Sequence, residues 1–566
     1  MIRNACPAAL SVTIAAALPL LALAASDPLQ TAARGIDGAE YLRHVQTLSS
    51  DDFEGRAPGT RGEKQTVEYL KRQFEQLGLK SANPDGSYTQ VVPMAGYTAD
   101  PHASYSVHGK AVTMRCPEDF VAFAPRKESP VRVDDSPLVF VGYGIRAPEY
   151  GWDDYKGANL KGKTLVMLIN DPPLPDPKDP HRLDKKMFGG RAMTYYGRWT
   201  YKYEMAVRQG AAAAIIVHET VPATYPWSVL ANGAKTENLE INSDGPSDKY
   251  PKVAAWMTRP QAEKLFAASG RNFEALKQAA LSKNFKPVDL GATVNFKIDN
   301  RWRDVSSHNV VATLPGSDPK LQHEYVVYTA HWDHFGWDPA LHGSKTQQIY
   351  HGARDNASGV AALLVLAKAF KSMPIAPKRS VVFIITTGEE SGLLGAGYYA
   401  RHPLYPLRNT VASINVDEMP IRGRTRELEL VTAGKSSVDE TVRIEARTLG
   451  IEIVPSQQPE MGSFYRGDHL EFARMGVPVA YLSAGKQVIG KPADYGTQQE
   501  EAYNDHDYHQ VSDTVKSDWD LGGATQDLEL LLRVGYALAE DKNIPHWYPD
   551  AEFKAARDAA FSKQAN

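Results

Sequence analysis

The chain has 566 residues, 43% hydrophobic and 23% charged, with a formal net charge of −4. This is the composition of a soluble globular protein, too long for one ordinary core, so two or three folding units are expected. The near balance of charge argues against a nucleic-acid binder or a polybasic membrane-surface protein.

At the N-terminus, Met1-Ile2-Arg3 is a short basic stretch, and Ala8 to Leu21 is apolar. Ala22-Leu23-Ala24 fits a small-x-small cleavage site before Ser26 and Asp27. Residues 1–25 therefore read as a Sec signal peptide, which predicts a periplasmic or secreted protein. The apolar run is short for a membrane span, and no later segment reaches about 20 uninterrupted apolar residues. Of the two cysteines, Cys6 lies in the signal segment. Cys116 is then alone, with no intrachain disulfide, and is expected as a small buried apolar residue rather than a nucleophile.

Apolar spacing predicts a helix over about 37–48, then a turn-rich loop from Ser50 to Gly62. A second amphipathic helix follows over about 63–77 and stops near Gly78. Residues 26–134 form the first part of a main domain. From about 135 to 295 the texture changes. Leu138–Gly144, Thr164–Ile169 and Ala213–Val217 are strand-like, Tyr203–Gln209 is helical, and a Pro-, Asp- and Lys-rich stretch fills about 170–205. This block is expected to be an insert with a small core of its own.

From about 296 to 566 the main domain resumes, with strands and helices alternating from about 307. Strands are predicted at Tyr325–Thr329, Val381–Ile385 and Val411–Val416. Helices are predicted at Ser358–Phe370 and Gly392–Ala400. Continuous β-branched runs between helices imply an α/β fold, three-layered α/β/α, with a mainly parallel sheet covered on both faces. Ligands gather at the carboxyl ends of such strands.

Chemistry-bearing residues follow each strand. The first runs into Ala330-His331-Trp332-Asp333-His334, and Arg354-Asp355-Asn356 stands just before the first helix. The second runs into Gly388-Glu389-Glu390, the third into Asp417-Glu418, and Asp507-Tyr508-His509 lies downstream. Histidines and carboxylates converging in this way suit a dinuclear zinc site, with a carboxylate bridging the ions. One carboxylate must stay off the metals as base, and Glu389-Glu390 supplies a ligand and a base in adjacent positions. In His331-x-Asp333, the carboxylate is expected to accept the second ring N–H of the histidine. No Gly-x-Ser-x-Gly motif is present.

His331-x-Asp333, Gly352-x-x-Asp355-Asn356-Ala357-Ser358-Gly359, Glu389-Glu390-x-Gly392, Asn415-x-Asp417 and Tyr508-His509-x-x-x-Asp513-Thr514 resemble the motif series of the M28 zinc peptidases. The Phe53–Glu63 segment and the Phe464–His469 block, followed by Gly476-Val477-Pro478, resemble further blocks of that family. The insert resembles the β-rich protease-associated (PA) domain of one branch. The resemblance implies an aminopeptidase that cleaves peptides with a water activated by two zinc ions. Asp355 would bridge both ions, Glu390 and His509 would complete one site, and His331 and Asp417 the other. Glu389 would be the general base, and Asp333 would support the ligands. Tyr465, Asp468, His469 and Glu418 are candidates for substrate contact or support.

Three departures stand out. Many relatives carry Ser before the Asp-His pair, where this chain has Gly467. After the Asp ligand they often carry Met or Gly, where it has Glu418. That carboxylate would face the substrate amine or a basic side chain, or point outward, which is the favoured expectation. Either Phe464 or Tyr465 occupies the place of a tyrosine that helps the oxyanion in some relatives. A carboxypeptidase, another hydrolase such as a glutaminyl cyclase, and an inactive receptor or binding module are the alternatives. Retention of all five ligands and Glu389 argues against the inactive module. Composition and motifs leave the oligomeric state open.

Overall fold

The computed structural model describes Met1 and residues 27–234, 236–242 and 249–562. The expected signal segment and Cys6 lie outside the described residues, apart from Met1. Among the described residues no helix is long and apolar enough to cross a membrane.

One large mixed sheet runs through the molecule. In its C-terminal half the central strand Tyr325–His331 is flanked by parallel neighbours Ser380–Thr386 and Thr410–Asn415, and Val479–Ser483 adds parallel beyond the latter. After the central strand the chain crosses to one side, then to the other. This reversal opens a crevice at the strands' carboxyl ends.

All seven residues of Tyr325–His331 and of Ser380–Thr386 are buried. Alternation sorts them between two layers. Val326, Tyr328, Ala330, Phe383 and Ile385 pack with Tyr41, Leu70, Phe74 and Leu531 of one helical layer. Val327, Val382 and Ile384 pack with Tyr399 and Phe472 of the other. Each fully buried side chain of this size contributes roughly 1.5–3 kcal/mol.

The helix Ser358–Ser372 was expected to bury one face, yet only Lys368, Lys371 and Ser372 escape burial. Its Val360–Leu366 run is apolar on all sides, and the helices Gly38–Leu48, Arg61–Leu77 and Gly522–Glu540 enclose it. The last of these closes tightly on the sheet. A Cβ on Gly535 would lie 1.7 Å from the Tyr328 hydroxyl, which itself donates to the Leu531 carbonyl at 2.7 Å.

The 27-residue strand Val288–Leu314 joins the two halves. Its end pairs with Ser380–Thr386 and its beginning with Val131–Phe140, while Thr89–Val107 runs antiparallel along most of its length. Beyond it the strands Val131–Phe140, Thr164–Leu168, Ala213–His218 and Val253–Thr258 lie parallel, with Phe120–Phe123 at the edge. The separate core of this half extends from Ala103 to Ile298. It thus begins upstream of residue 135, because Thr89–Val107 is one continuous strand that enters it. Cys116 is half-buried against this core.

Candidate metal centre

The carboxyl ends of three parallel strands deliver the donors. His331 ends the central strand, Glu389 and Glu390 follow Ser380–Thr386, and Asp417 follows Thr410–Asn415. Asp355 sits in the turn before the helix Ser358–Ser372, and His509 follows the helix Tyr495–His506.

The five expected ligands converge as two triads sharing Asp355. Asp355 Oδ1 lies 3.2 Å from His331 Nε2, which lies 3.3 Å from Asp417 Oδ1. Asp355 Oδ2 lies 3.1 Å from His509 Nε2, which lies 3.3 Å from Glu390 Oε2. Two donors on one tetrahedral zinc, at bond lengths near 2.0–2.1 Å, stand about 3.3 Å apart. His331, Asp355 and Glu390 place donor atoms within 4.8 Å of one another. Asp417 Oδ1 is buried and accepts no hydrogen bond from the described residues. His331 Nδ1 is 3.1 Å from the Asp333 carbonyl. As donor there, it leaves its Nε2 lone pair facing carboxylate oxygens, an arrangement that calls for a cation. The residues present therefore fit a pair of zinc ions.

Electrostatics agree. Burial alone would lower the His331 imidazole, but the Asp417 and Glu389 carboxylates hold it well above its usual value. Burial opposes ionisation of Asp355, and its contacts with His331 and His509 overcome that and hold it well below the usual carboxylate range. Glu389 stands outside both triads, with Oε2 4.0 Å from His331 Nε2. Burial, reinforced by Glu390 and Asp417 against the opposing pull of His331, pushes its carboxyl well above the usual range.

Asp333 acts differently from expectation. Its carboxylate is 3.8 Å from His331 Nδ1, and the ring instead meets its main-chain carbonyl. The carboxylate accepts the amides of Glu389 and Glu390, at 3.1 and 3.4 Å. It holds the turn that carries Glu389 and Glu390. Two bonds to rigid backbone donors outcompete one to the ring.

Glu418 does not point outward. It lies 3.1 Å from the Arg354 guanidinium, which also meets Glu500 at 3.1 Å. Burial, partly offset by Arg354, pushes its carboxyl up to about 8. Glu418 and His509 both hold left-handed backbone, φ 54° and 58°. Non-glycine residues there cost roughly 1 kcal/mol or more each, a strain that clusters at functional sites.

Tyr465 does not join the cluster. Its ring packs on Tyr195 and Phe464, at 5.9 and 5.0 Å, and its hydroxyl faces Glu552. Among the site's carboxylates stand Tyr508, whose neighbours include Asp355, Glu418, Glu390 and Glu389, and Tyr481, whose neighbours include Asp417, Glu418, Glu389 and Asp355. Tyr481 is paired with Asn415 in the adjacent strand. Asp468 is buried beside the site and accepts the Thr386 hydroxyl, and burial pushes it up to about 7. His469 packs on Tyr481 and Phe464, at 4.9 and 5.4 Å, and burial lowers it to about 3, so it supports as a neutral ring. A Cβ on Gly467 would lie 3.0 Å from His469 Nδ1 and 3.1 Å from Asn415 Nδ2, a close fit for any side chain there.

Several supporting residues escaped the sequence reading. His334 Nδ1 holds Glu390 Oε1 at 2.6 Å. The Asp513 carboxylate accepts the amides of Arg354 and Asp355, at 3.1 Å each. Asn356 accepts from Gly359 and Glu418 and donates to the Val416 carbonyl, tying the Asp355 turn to the Asp417 loop. Phe335 and Tyr508 flank the His509 ring at 4.7 and 3.8 Å. Arg56, fully buried, donates to the carbonyls of Leu48, Trp332, His351 and Gly352. Asp513 and Arg56 lay inside recognised blocks, but nothing in the sequence marked what they would bond.

Residues 309–532, which carry all five donors and Glu389, match the model of Peptidase family M28. The chain is similar to a probable leucine aminopeptidase 2 of Aspergillus oryzae, 26% identical over 247 residues, covering 41% of this chain and 45% of that protein. It is similar to a probable zinc metalloprotease of Pyrenophora teres f. teres, 30% identical over 222 residues, covering 35% and 46%. The chain thus spans less than half the length of these curated relatives of its M28 segment. Among solved structures, an aminopeptidase from Aneurinibacillus sp. strain AM-1 is 18% identical with a TM-score of 0.49, over 91% of this chain and 97% of that one.

Proposed function

We propose that this protein is a two-zinc aminopeptidase that removes N-terminal residues from peptides, with Glu389 as general base. The observation that carries this reading is the pair of donor triads bridged by Asp355, with one carboxylate left over beside them. His331, Asp355 and Asp417 would hold one ion, and His509, Asp355 and Glu390 the other. Bound there, zinc supplies Lewis-acid polarisation and a nucleophilic water near neutral pH.

The chain's own residues do the rest. Glu389 takes the proton of the attacking water and returns it to the leaving amine. Asp333 fixes the turn that aims Glu389, and His334 and Asp513 hold Glu390 and Asp355 in place. The site's carboxylates make an anionic end suited to the substrate's free α-amine. In this reading residues 135–295 are the PA-like insert, which shares the core that extends from Ala103 to Ile298.

The test is hydrolysis of aminoacyl-p-nitroanilides by the zinc-loaded protein, with N-acetylated controls, chelation and Glu389→Gln. Cleavage that needs a free amine and is lost in both treatments is expected, with Glu389→Gln costing roughly 10²–10⁴-fold in kcat. Cleavage of N-acetylated substrates at an equal rate would refute the aminopeptidase reading.

A further inference from the structure

The seam between the insert and the C-terminal half contains four arginines, of two kinds. Arg474 pairs with Glu204 at 2.9 Å, and Arg191 with Glu460 at 3.0 Å. Arg466 and Arg198 have no carboxylate partner among the described residues. Arg466, two residues before Asp468, donates from Nε to the Met461 carbonyl at 2.8 Å. From Nη2 it donates to the Thr224 hydroxyl of the insert at 2.7 Å. Arg198 precedes the helix Trp199–Arg208, and its Nε is buried without a partner. Both side chains are half-buried.

Desolvating a guanidinium without an anion is costly, so charges in such places are normally paired. Here the surroundings are neutral tyrosines. Tyr195, Tyr225 and Tyr465 lie within electrostatic reach of Arg198, and Tyr225 and Tyr508 within that of Arg466. Burial, and then repulsion from Arg466, bring Arg198 down to about 9, so it stays charged at neutral pH.

The patch lies beside the metal cluster. Tyr508, within electrostatic reach of Arg466, stacks on the candidate ligand His509 with ring centroids 3.8 Å apart. An acidic pole, made by Glu389, Asp417 and their neighbours, thus lies near a basic pole made by Arg466 and Arg198. A zwitterionic short peptide has the matching charges at its two ends. Arg466 Nη1 and the Arg198 guanidinium make no hydrogen bond to described residues, which leaves N–H groups for a carboxylate.

We propose that Arg466 and Arg198 bind the carboxylate of short peptide substrates whose free amine lies at the metal cluster. This rests on the aminopeptidase reading above and narrows its substrate class to di- and tripeptides with a free carboxyl end. The carboxylate could equally come from an acidic side chain, and the substrates below separate the two sources.

The experiment compares kcat/KM of the zinc-loaded protein for Leu-Gly and Leu-Gly-Gly, their C-terminal amides, and Leu-Glu-amide. A free-acid to amide ratio of roughly tenfold or more is expected, falling towards unity in Arg466→Gln and in Arg198→Met and partly kept in Arg466→Lys. A ratio near unity in the wild type overturns the proposal while leaving the aminopeptidase reading intact. So does a ratio unchanged by the substitutions. Preference for Leu-Glu-amide over Leu-Gly-amide, without preference for free acids, overturns the terminal-carboxylate assignment in favour of an acidic side chain. Absence of hydrolysis in every arm would refute the aminopeptidase reading. Calorimetric binding of Leu-Gly against Leu-Gly-amide to Glu389→Gln then still decides the arginine site, with equal affinities overturning it.

Discussion

Arg56 offers a direct test of how the centre is supported. Its guanidinium is fully buried and makes four hydrogen bonds of 2.6–2.8 Å to main-chain carbonyls. One acceptor, Trp332, follows His331, and another, Gly352, is three residues before Asp355. Arg56 therefore staples the loop after the helix Gly38–Leu48 to both loops that carry candidate ligands. Bonds from a charged donor are worth roughly 1.5–3 kcal/mol each, or about 6–12 kcal/mol for four. Keeping the cation out of water takes back several kcal/mol, and burial pulls Arg56 down to about 10 against the carboxylates Asp513, Asp355, Asp333 and Glu390. The net loss expected for Arg56→Met is about 3–5 kcal/mol, and about half of that for Arg56→Lys, whose ammonium keeps one or two of the bonds. Urea denaturation of the zinc-loaded proteins measures this. Chelator competition should show zinc affinity weakened roughly 10–100-fold, as for other groups that orient ligands. An Arg56→Met protein within about 1 kcal/mol of wild type, with unaltered zinc binding, would refute the stapling role.

Three further outcomes are expected. His44 is buried with Nδ1 2.5 Å from the Tyr69 hydroxyl, and burial lowers its pKa from 6.5 to about 4. The unfolded chain binds the extra proton first, so this stabilisation is present above pH 6.5 and is lost as pH falls towards 4. At most about 3 kcal/mol is involved, and His44→Gln should flatten the acid limb of stability measured by urea titration. Identical slopes in both proteins would contradict this. A Cβ on Gly359 would lie 2.3 Å from Asn356 Oδ1 and 2.6 Å from the Val416 carbonyl. Gly359→Ala should therefore cost about 1–3 kcal/mol and loosen the Asp355 and Asp417 loops together, read as a lower melting temperature and weaker zinc binding. Chelation should lower the melting temperature of the wild type, and zinc at about 1,000 times its Kd should restore roughly 4 kcal/mol. A melting temperature indifferent to zinc would count against the cluster as a metal site.

The strands and the order of the candidate ligands were legible because each of these strands is a short apolar run followed at once by its histidine or carboxylates. Val381–Ile385 into Glu389-Glu390 and Val411–Asn415 into Asp417 are examples. The helix Ser358–Ser372 was found, but its burial was underestimated, because the helices that cover it come from residues 38–77 and 522–540. An insert was expected over 135–295, and the apolar core of that half draws on residues from Ala103 onward, since a strand such as Thr89–Val107 that serves two cores has no break in its pattern to mark a boundary.

The sequence by itself marked which residues are candidates for the chemistry, because metal-ligating side chains are few in kind and these stand at strand ends that local patterning reveals. Tertiary structure decided what orients them. Asp333 turned from the His331 ring to the Glu389-Glu390 amides, Glu418 turned inward to Arg354, and Tyr481 rather than Tyr465 came to the site. These outcomes depend on bonds between residues tens to hundreds of positions apart, and on which of several donors is nearer once the sheet has formed. The unpaired charges of Arg198 and Arg466 belong to the same class. A solvated arginine and a half-buried one without an anion read identically in sequence, and only packing distinguishes them.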